Sequence, residues 1–342
     1  MLRKCSLELY NNSNGFLHLF YAYLHQCGRA AHTLLGNQTM ETFGQNDLKK
    51  LASQNELWYD SLITSYIQNA QWKDAFELCV KLPLGSLLHL DKRAFVFLLK
   101  ACASLRQATF GCRIHAHLGS KETDIFVGTA LIDMYAKCGM LEKTRDIFDK
   151  LIDRDVVTWN ALISGYAQHA CGEEALECYE KMQVQGICPD SVTFACTLKA
   201  CGSIGAKIKG AQIHADVERR GLFGNTIVGN ALVDMYAKCG SLTKARDVFN
   251  MLPFRNVVTW TALIGGYAQY NQGQEALNCF EQMKSQGLSP DAITYACCLK
   301  ACGSLGAVDI GTEMHADIER QRSLKRGLLV SNALIDMYAK CG

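Results

Sequence analysis

Seventeen cysteines and nine histidines are the residues of this chain with the most obvious chemical potential. A zinc site needs ligand pairs such as Cys-x-x-Cys, and no two cysteines here lie three apart. Most recur instead at equivalent places: Cys138, Cys239 and Cys341 precede glycine, and Cys102, Cys201 and Cys302 follow Lys-Ala. That pattern reads as small buried hydrophobes in a reducing compartment rather than as metal ligands or disulfides. His115, His214 and His315 recur in Ile/Met-His-Ala strings at helical spacing, which suits packing or an interhelical hydrogen bond. His214-Ala-Asp216 and His315-Ala-Asp317 carry Asp where a zinc deaminase has Glu, and the cysteine pair is missing. No Gly-x-x-x-x-Gly-Lys-Ser/Thr phosphate loop and no Gly-x-Ser-x-Gly elbow occurs. The chain is expected to have no catalytic residues, no metal and no cofactor.

Repetition is the dominant feature. Met-Tyr-Ala-Lys-Cys-Gly starts at Met134, Met235 and Met337, Leu-Lys-Ala-Cys at Leu99, Leu198 and Leu299, and Trp58, Trp159 and Trp260 are evenly spaced. A chain that copies a unit of about one hundred residues reads as an array, not as a single globular enzyme. The unit subdivides into 156–190, 191–225 and 226–256, segments of 35, 35 and 31 residues. Each holds two stretches of helical period around a short break. Trp159, Leu162, Ile163, Tyr166 and Ala167 make one apolar stripe, and Ala175, Leu176, Tyr179 and Met182 make the next. Gly186 and Pro189 then stop the second helix. Neither helix can bury its stripe alone, so neighbouring pairs must stack. Small residues such as Ala161, Gly165, Ala175 and Ala276 allow close approach. The expected fold is all-α: a right-handed α-solenoid superhelix of stacked helix-turn-helix repeats, its concave face built mostly from first helices.

The 342 residues include 4 prolines, and 35 Lys+Arg against 33 Asp+Glu give a net charge of +2. A nucleic-acid partner would therefore be held more by base-directed contacts than by wholesale phosphate neutralisation. No run of 18 apolar residues suggests a membrane span.

The run Val257-Val-Thr-Trp-Thr-Ala-Leu-Ile-Gly-Gly-Tyr and the Asp-Met-Tyr-Ala-Lys-Cys-Gly block resemble the pentatricopeptide repeat (PPR) family. The alternating lengths resemble its plant-type subclass of ordinary (P), long-variant (L) and short (S) motifs. The resemblance covers about 56–342. P motifs fall at 56–91, 156–190 and 257–291; L motifs at 92–124, 191–225 and 292–327; S motifs at 125–155 and 226–256, with a partial one at 328–342. Residues 1–55 are a leader or a degenerate repeat; Arg3, Lys4 and Arg29 against a single acid, Glu8, are compatible with an organellar transit peptide. The chain stops in mid-motif and is expected to be a fragment or truncated product.

The resemblance implies that the fifth and last residues of each motif together select one RNA base, while the second residue wedges between bases. Carried over, Thr129 with Asp155 resembles a guanine pair, Asn160 with Asp190 a uracil pair, Asn230 with Asn256 a pyrimidine pair favouring cytosine, and Thr261 with Asp291 again guanine. Asn332 opens a last pyrimidine-type motif. Phe126, Val157, Ile227, Val258 and Leu329 take the wedge position. Val96, Ala195 and Ala296, fifth in the L motifs, offer no hydrogen bond, and Asp60 with Asp91 departs from the family's pairs. The implied tract is G-U-n-(C/U)-G-n-(C/U), 5′ to 3′. Amides and hydroxyls can read Watson–Crick edges of unpaired bases. The same residue types also cap helices and make turns, so both readings stay open. Lys137, Lys238 and Lys340 could touch an RNA backbone or serve as solvated helix-end charges.

The family's plant-type members imply a sequence-specific binder of single-stranded RNA, monomeric and without a membrane, acting on organellar transcripts in mitochondrion or chloroplast. Its expected task is site recognition for C-to-U RNA editing, with editing-complex proteins or a deaminase supplied in trans. The alternatives are a helical protein-interaction scaffold, or an RNA stability or splicing factor.

Overall fold

The computed structural model describes residues 92–119, 124–321 and 327–342, all within one compact unit, Leu62–Gly342. Residues 1–55, the first P motif with Trp58, Asp60 and Asp91, and the segments 120–123 and 322–326 lie outside the described residues. Among the described residues there are fifteen helices and no strand. In chain order they are α1 (Lys92–Leu105), α2 (Ala108–Leu118), α3 (Ile125–Lys137), α4 (Leu141–Lys150), α5 (Val156–Gln168), α6 (Gly172–Val184), α7 (Ser191–Ile204), α8 (Lys207–Arg219), α9 (Thr226–Lys238), α10 (Leu242–Met251), α11 (Val257–Gln269), α12 (Gly273–Ser285), α13 (Ala292–Leu305), α14 (Val308–Arg320) and α15 (Leu328–Cys341).

The starts of the first helices are written in single residues. Asp155, Asp190, Asn225, Asn256 and Asp291 stand in extended backbone, and each accepts hydrogen bonds from backbone N–H groups of the following turn. Stops are equally local. Gly205 and Gly306 close α7 and α13 in the left-handed conformation that favours glycine. At the ends of α4 and α10 an arginine fork takes over: Arg154 Nε donates to the Phe148 carbonyl at 3.1 Å, and Arg255 Nε to that of Phe249 at 2.8 Å.

The odd-numbered helices run in one row, each packed on the next, while each even-numbered helix packs on the first helix of its own pair and on that of the following pair. This is the stacked α-solenoid expected from the repeats. Its core is periodic too. Trp159 packs edge-on against Phe148 with ring centroids 4.6 Å apart, and Trp260 repeats this against Phe249 at 4.5 Å; such pairs add about 0.5–1.5 kcal/mol beyond their buried area. Close approach of the first helices depends on glycine. A Cβ on Gly165 would stand 2.7 Å from the Ala136 Cβ, and one on Gly266 would stand 2.6 Å from that of Ala237.

The recurrent histidines hold the L and S motifs together. His115, His214 and His315 Nδ1 lie 2.7, 3.0 and 3.0 Å from the hydroxyls of Tyr135, Tyr236 and Tyr338. Burial lowers the pKa of His214. Burial likewise pushes the thiols of Cys102 and Cys201 up to about 12 and those of Cys178 and Cys302 to about 11, which keeps them as protonated hydrophobes. Among the described residues no cluster of three or more His, Cys, Asp or Glu could hold a metal ion, and no helix is long and apolar enough to cross a membrane.

Candidate nucleic-acid interface

The first turn of each first helix places three positions in fixed relation. The N-cap precedes the helix, the second residue projects outward, and the fifth sits one turn on, beside the start of the next first helix. Phe126, Val157, Ile227, Val258 and Leu329 are all between 50 and 72% exposed, so packing in the core is not their role. Val192 and Ile293, second in α7 and α13, are exposed as well and continue the row through the second and third L motifs. Sequence reasoning left these two out, although the apolar second residue was visible there.

The fifth residues lie deeper. Asn160 is 8% exposed, Thr129, Asn230 and Thr261 are half-buried, and Asn332 near the end of the chain is exposed. Only one predicted pair is in direct contact: Asn160 Nδ2 donates to Asp190 Oδ1 at 3.0 Å. The others are brought together through an intermediary that the sequence reading missed, the third residue of the following helix. Thr158 Oγ1 lies 2.9 Å from Thr129 Oγ1 and donates to Asp155 Oδ1 at 2.8 Å. Thr259 Oγ1 donates to Asn230 Oδ1 at 2.5 Å and lies 3.0 Å from Asn256 Oδ1. Thr294 Oγ1 lies 2.7 Å from Thr261 Oγ1 and donates to Asp291 Oδ1 at 2.8 Å. Even Asn160 is shared, since its Oδ1 accepts from Thr193 Oγ1 at 2.6 Å.

The last residues of the motifs are therefore caps and, at the same time, members of the hydrogen-bond network around the fifth residues. Asp190, Asn256 and Asp291 each form a reciprocal capping box with Thr193, Thr259 and Thr294. Burial alone would raise the Asp190 carboxyl, but the Thr193 backbone N–H, the Asn160 amide and the Val192 backbone N–H hold the group below its usual range. It is a carboxylate at neutral pH and orients the Asn160 amide. The L motifs lack this arrangement. Asp124 and Asn225 cap α3 and α9 through backbone N–H groups alone, and Asp124 also accepts from Lys92 at 2.5 Å.

The lysines of the Tyr-Ala-Lys-Cys-Gly blocks are each paired one turn back: Lys137 with Asp133 at 2.8 Å, Lys238 with Asp234 and Lys340 with Asp336, both at 2.7 Å. Such exposed pairs are worth a few tenths of a kcal/mol. With their charge locally balanced, these lysines do not form an unopposed basic strip.

Comparison with known proteins bears on this geometry. Models of the PPR repeat family match residues 154–203 and 255–304, and a PPR repeat model matches 129–156 and 230–257. A chloroplastic pentatricopeptide repeat-containing protein of Arabidopsis thaliana is 37% identical over 247 residues, 72% of this chain and 40% of that protein. A mitochondrial one from the same plant is 36% identical over 290 residues, 84% of this chain and 28% of that protein. The chain spans less than half the length of the curated relatives it matches. Among solved structures, the pentatricopeptide repeat protein PPR10 in complex with an 18-nt psaJ RNA element is similar over 90% of this chain and 47% of its own, with a TM-score of 0.64 at 21% identity. That likeness shows the fold.

Proposed function

The chain belongs to the pentatricopeptide repeat family, and from that premise we propose that it binds single-stranded RNA sequence-specifically, one nucleotide to each motif. The observation that carries this reading is the pairing of two rows on the stacked first helices. Exposed aliphatic or aromatic second residues alternate with buried or half-buried amides and hydroxyls whose hydrogen-bonding groups are held by the protein. A row of apolar wedges suits base faces, and oriented amides suit Watson–Crick edges. The PPR10 structure with a bound RNA element supports the same reading.

The motif boundaries at 125, 156, 191, 226, 257, 292 and 328 coincide with the first residues of helices or lie beside their caps, which supports the one-motif register. With it, Thr129/Asp155, Asn160/Asp190, Asn230/Asn256 and Thr261/Asp291 read G, U, C or U, and G, and Asn332 reads a pyrimidine. The chain acts in mitochondrion or chloroplast, the two compartments named for its relatives. The alternating motif lengths support the plant-type subclass and, with it, site recognition for C-to-U editing, the deamination being performed by another domain or protein.

The test is a gel-shift titration with an RNA carrying G-U-n-(C/U)-G-n-(C/U) and with RNAs in which each assigned base is swapped in turn. Loss of affinity at the assigned bases, with indifference at n, is expected. Equal binding to all RNAs, or binding to none, would reject base selection and favour a protein-interaction scaffold.

A further inference from the structure

We propose that the buried threonine at the third position of each following helix, Thr158, Thr193, Thr259 or Thr294, is a positioning residue that fixes the hydrogen-bond polarity which the preceding motif shows to its base. The proposal rests on the base-selection reading and adds residues to which that reading gives no role.

Two observations carry it. The first is geometric. All four threonines are 0% exposed, and each hydroxyl stands between the fifth residue of one motif and the N-cap of the next. The second is a pattern within the chain. Thr158, Thr193, Thr259 and Thr294 follow motifs whose fifth residue is polar: Thr129, Asn160, Asn230 and Thr261. Val127, Val228 and Val330 follow motifs whose fifth residue is Val96, Ala195 or Ala296. The remaining described case, Ala94, follows Asp60, outside the described residues. Those valines are 0, 0 and 1% exposed, so the slot accepts an isosteric side chain without a hydroxyl. Packing does not demand threonine. A fifth residue with an amide or a hydroxyl does.

A hydroxyl has one proton and two lone pairs. Where the fifth residue is threonine, the hydroxyl of Thr158 or Thr294 gives its proton to the carboxylate of Asp155 or Asp291, both at 2.8 Å. It can then only accept from Thr129 or Thr261. The fifth threonine spends its proton inward and shows lone pairs to the base, which suits the N–H donors on the Watson–Crick edge of guanine. Where the fifth residue is asparagine, the hydroxyl of Thr193 or Thr259 accepts the N-cap backbone N–H at 3.1 or 3.2 Å and donates to the amide oxygen at 2.6 or 2.5 Å. The amide oxygen is turned inward, and Nδ2 remains to donate to a base, which suits a pyrimidine carbonyl. For Asn160 the Asp190 carboxylate fixes the same orientation independently. Among the hydrogen bonds of Asn230, that from Thr259 is the one that orients the amide.

The test uses the full chain and fluorescence anisotropy with RNAs differing only at the nucleotide read by Asn230. Thr259→Val and Thr259→Ala are expected to cut discrimination between pyrimidine and purine there by about tenfold, the equivalent of one lost neutral hydrogen bond. Discrimination at the other nucleotides stays unchanged, and Thr259→Ser retains the wild-type preference. Thr193→Val has a smaller effect at its own nucleotide because Asp190 still holds Asn160. Folding is followed by circular dichroism, and whichever hydroxyl-free variant folds gives the reading. If that variant keeps wild-type discrimination while Asn230→Ala abolishes it, the positioning role is overturned and base selection stands. If Asn230→Ala leaves the preference untouched, base selection itself falls and takes the positioning role with it.

Discussion

Replacing Asp190 separates its two jobs. Alanine there removes the cap of α7, in which Asp190 Oδ1 accepts from the Thr193 N–H at 2.9 Å, and removes the acceptor for Asn160 Nδ2. A lost N-cap costs about 1 kcal/mol, and a buried amide N–H left without a partner costs about 1–3 kcal/mol. The expected loss is thus about 2–4 kcal/mol. Asparagine caps as well as aspartate and keeps an acceptor in place, so Asp190→Asn should lose less than about 1 kcal/mol. Urea denaturation followed by tryptophan fluorescence reads the difference, with Trp159 on the neighbouring first helix as a probe. At an ordinary urea slope the Asp190→Ala midpoint should fall by about 1 M or more. Repeat arrays unfold with limited cooperativity, so midpoints for all three proteins are compared under one protocol. The folded pKa of Asp190 lies below its ordinary value of about 3.9. Its carboxylate contribution is therefore complete above that value and lost as pH falls through the lowered folded pKa. The gap between wild type and Asp190→Asn should be widest near neutrality and close in acid. Coincident Asp190→Ala and wild-type midpoints at pH 7 would refute the network; a gap that widens in acid would refute the ionised state.

Three further outcomes follow from the same geometry. Asn160→Thr should move preference at its nucleotide from U toward G and leave the other positions alone, because the Thr193 and Asp190 partners remain; base-swapped RNAs in a gel shift check it, and a uniform loss of binding would instead indicate damaged folding. Gly165→Val should destabilise the stack by about 1–3 kcal/mol or more, since its Cβ would meet that of Ala136 at 2.7 Å; thermal melting reads this, and an unchanged melt would show that α3 and α5 can separate freely. Val157→Ser, at an exposed site, should leave the melt within about 0.5 kcal/mol of wild type yet weaken RNA binding by roughly 1 kcal/mol, about fivefold in Kd; an unaltered Kd would remove Val157 from the interface.

The helical architecture was legible because it is set by short-range signals repeated many times. Trp159 and Trp260 at the same phase of the same stripe, Gly186 and Gly287 past helix ends, and Pro189 and Pro290 ahead of caps each act within one or two turns. The histidine–tyrosine bonds were half-legible: the helical spacing of His214 argued for packing, but its partner Tyr236 lies on the next repeat and only stacking reveals it. The threonine intermediaries escaped for the same reason. Thr193 looks like an ordinary third residue of a helix until Asn160, 33 residues away, is brought against it. Yet the sequence held the clue, in the alternation of threonine and valine at that position according to the residue that comes before.

At Asp190, Asn256 and Asp291 capping and a link to the fifth residue coexist. In the folded chain one oxygen serves the first-turn N–H while the threonine hydroxyl links that cap to the fifth residue, so the cap also holds the fifth side chain in place. The L motifs provide the control inside the same molecule. Asp124 and Asn225 cap their helices through N–H groups alone, valine replaces threonine, and no polar fifth residue stands opposite. Capping alone, then, does not require the threonine. Its hydroxyl is present where there is an amide or a hydroxyl to aim.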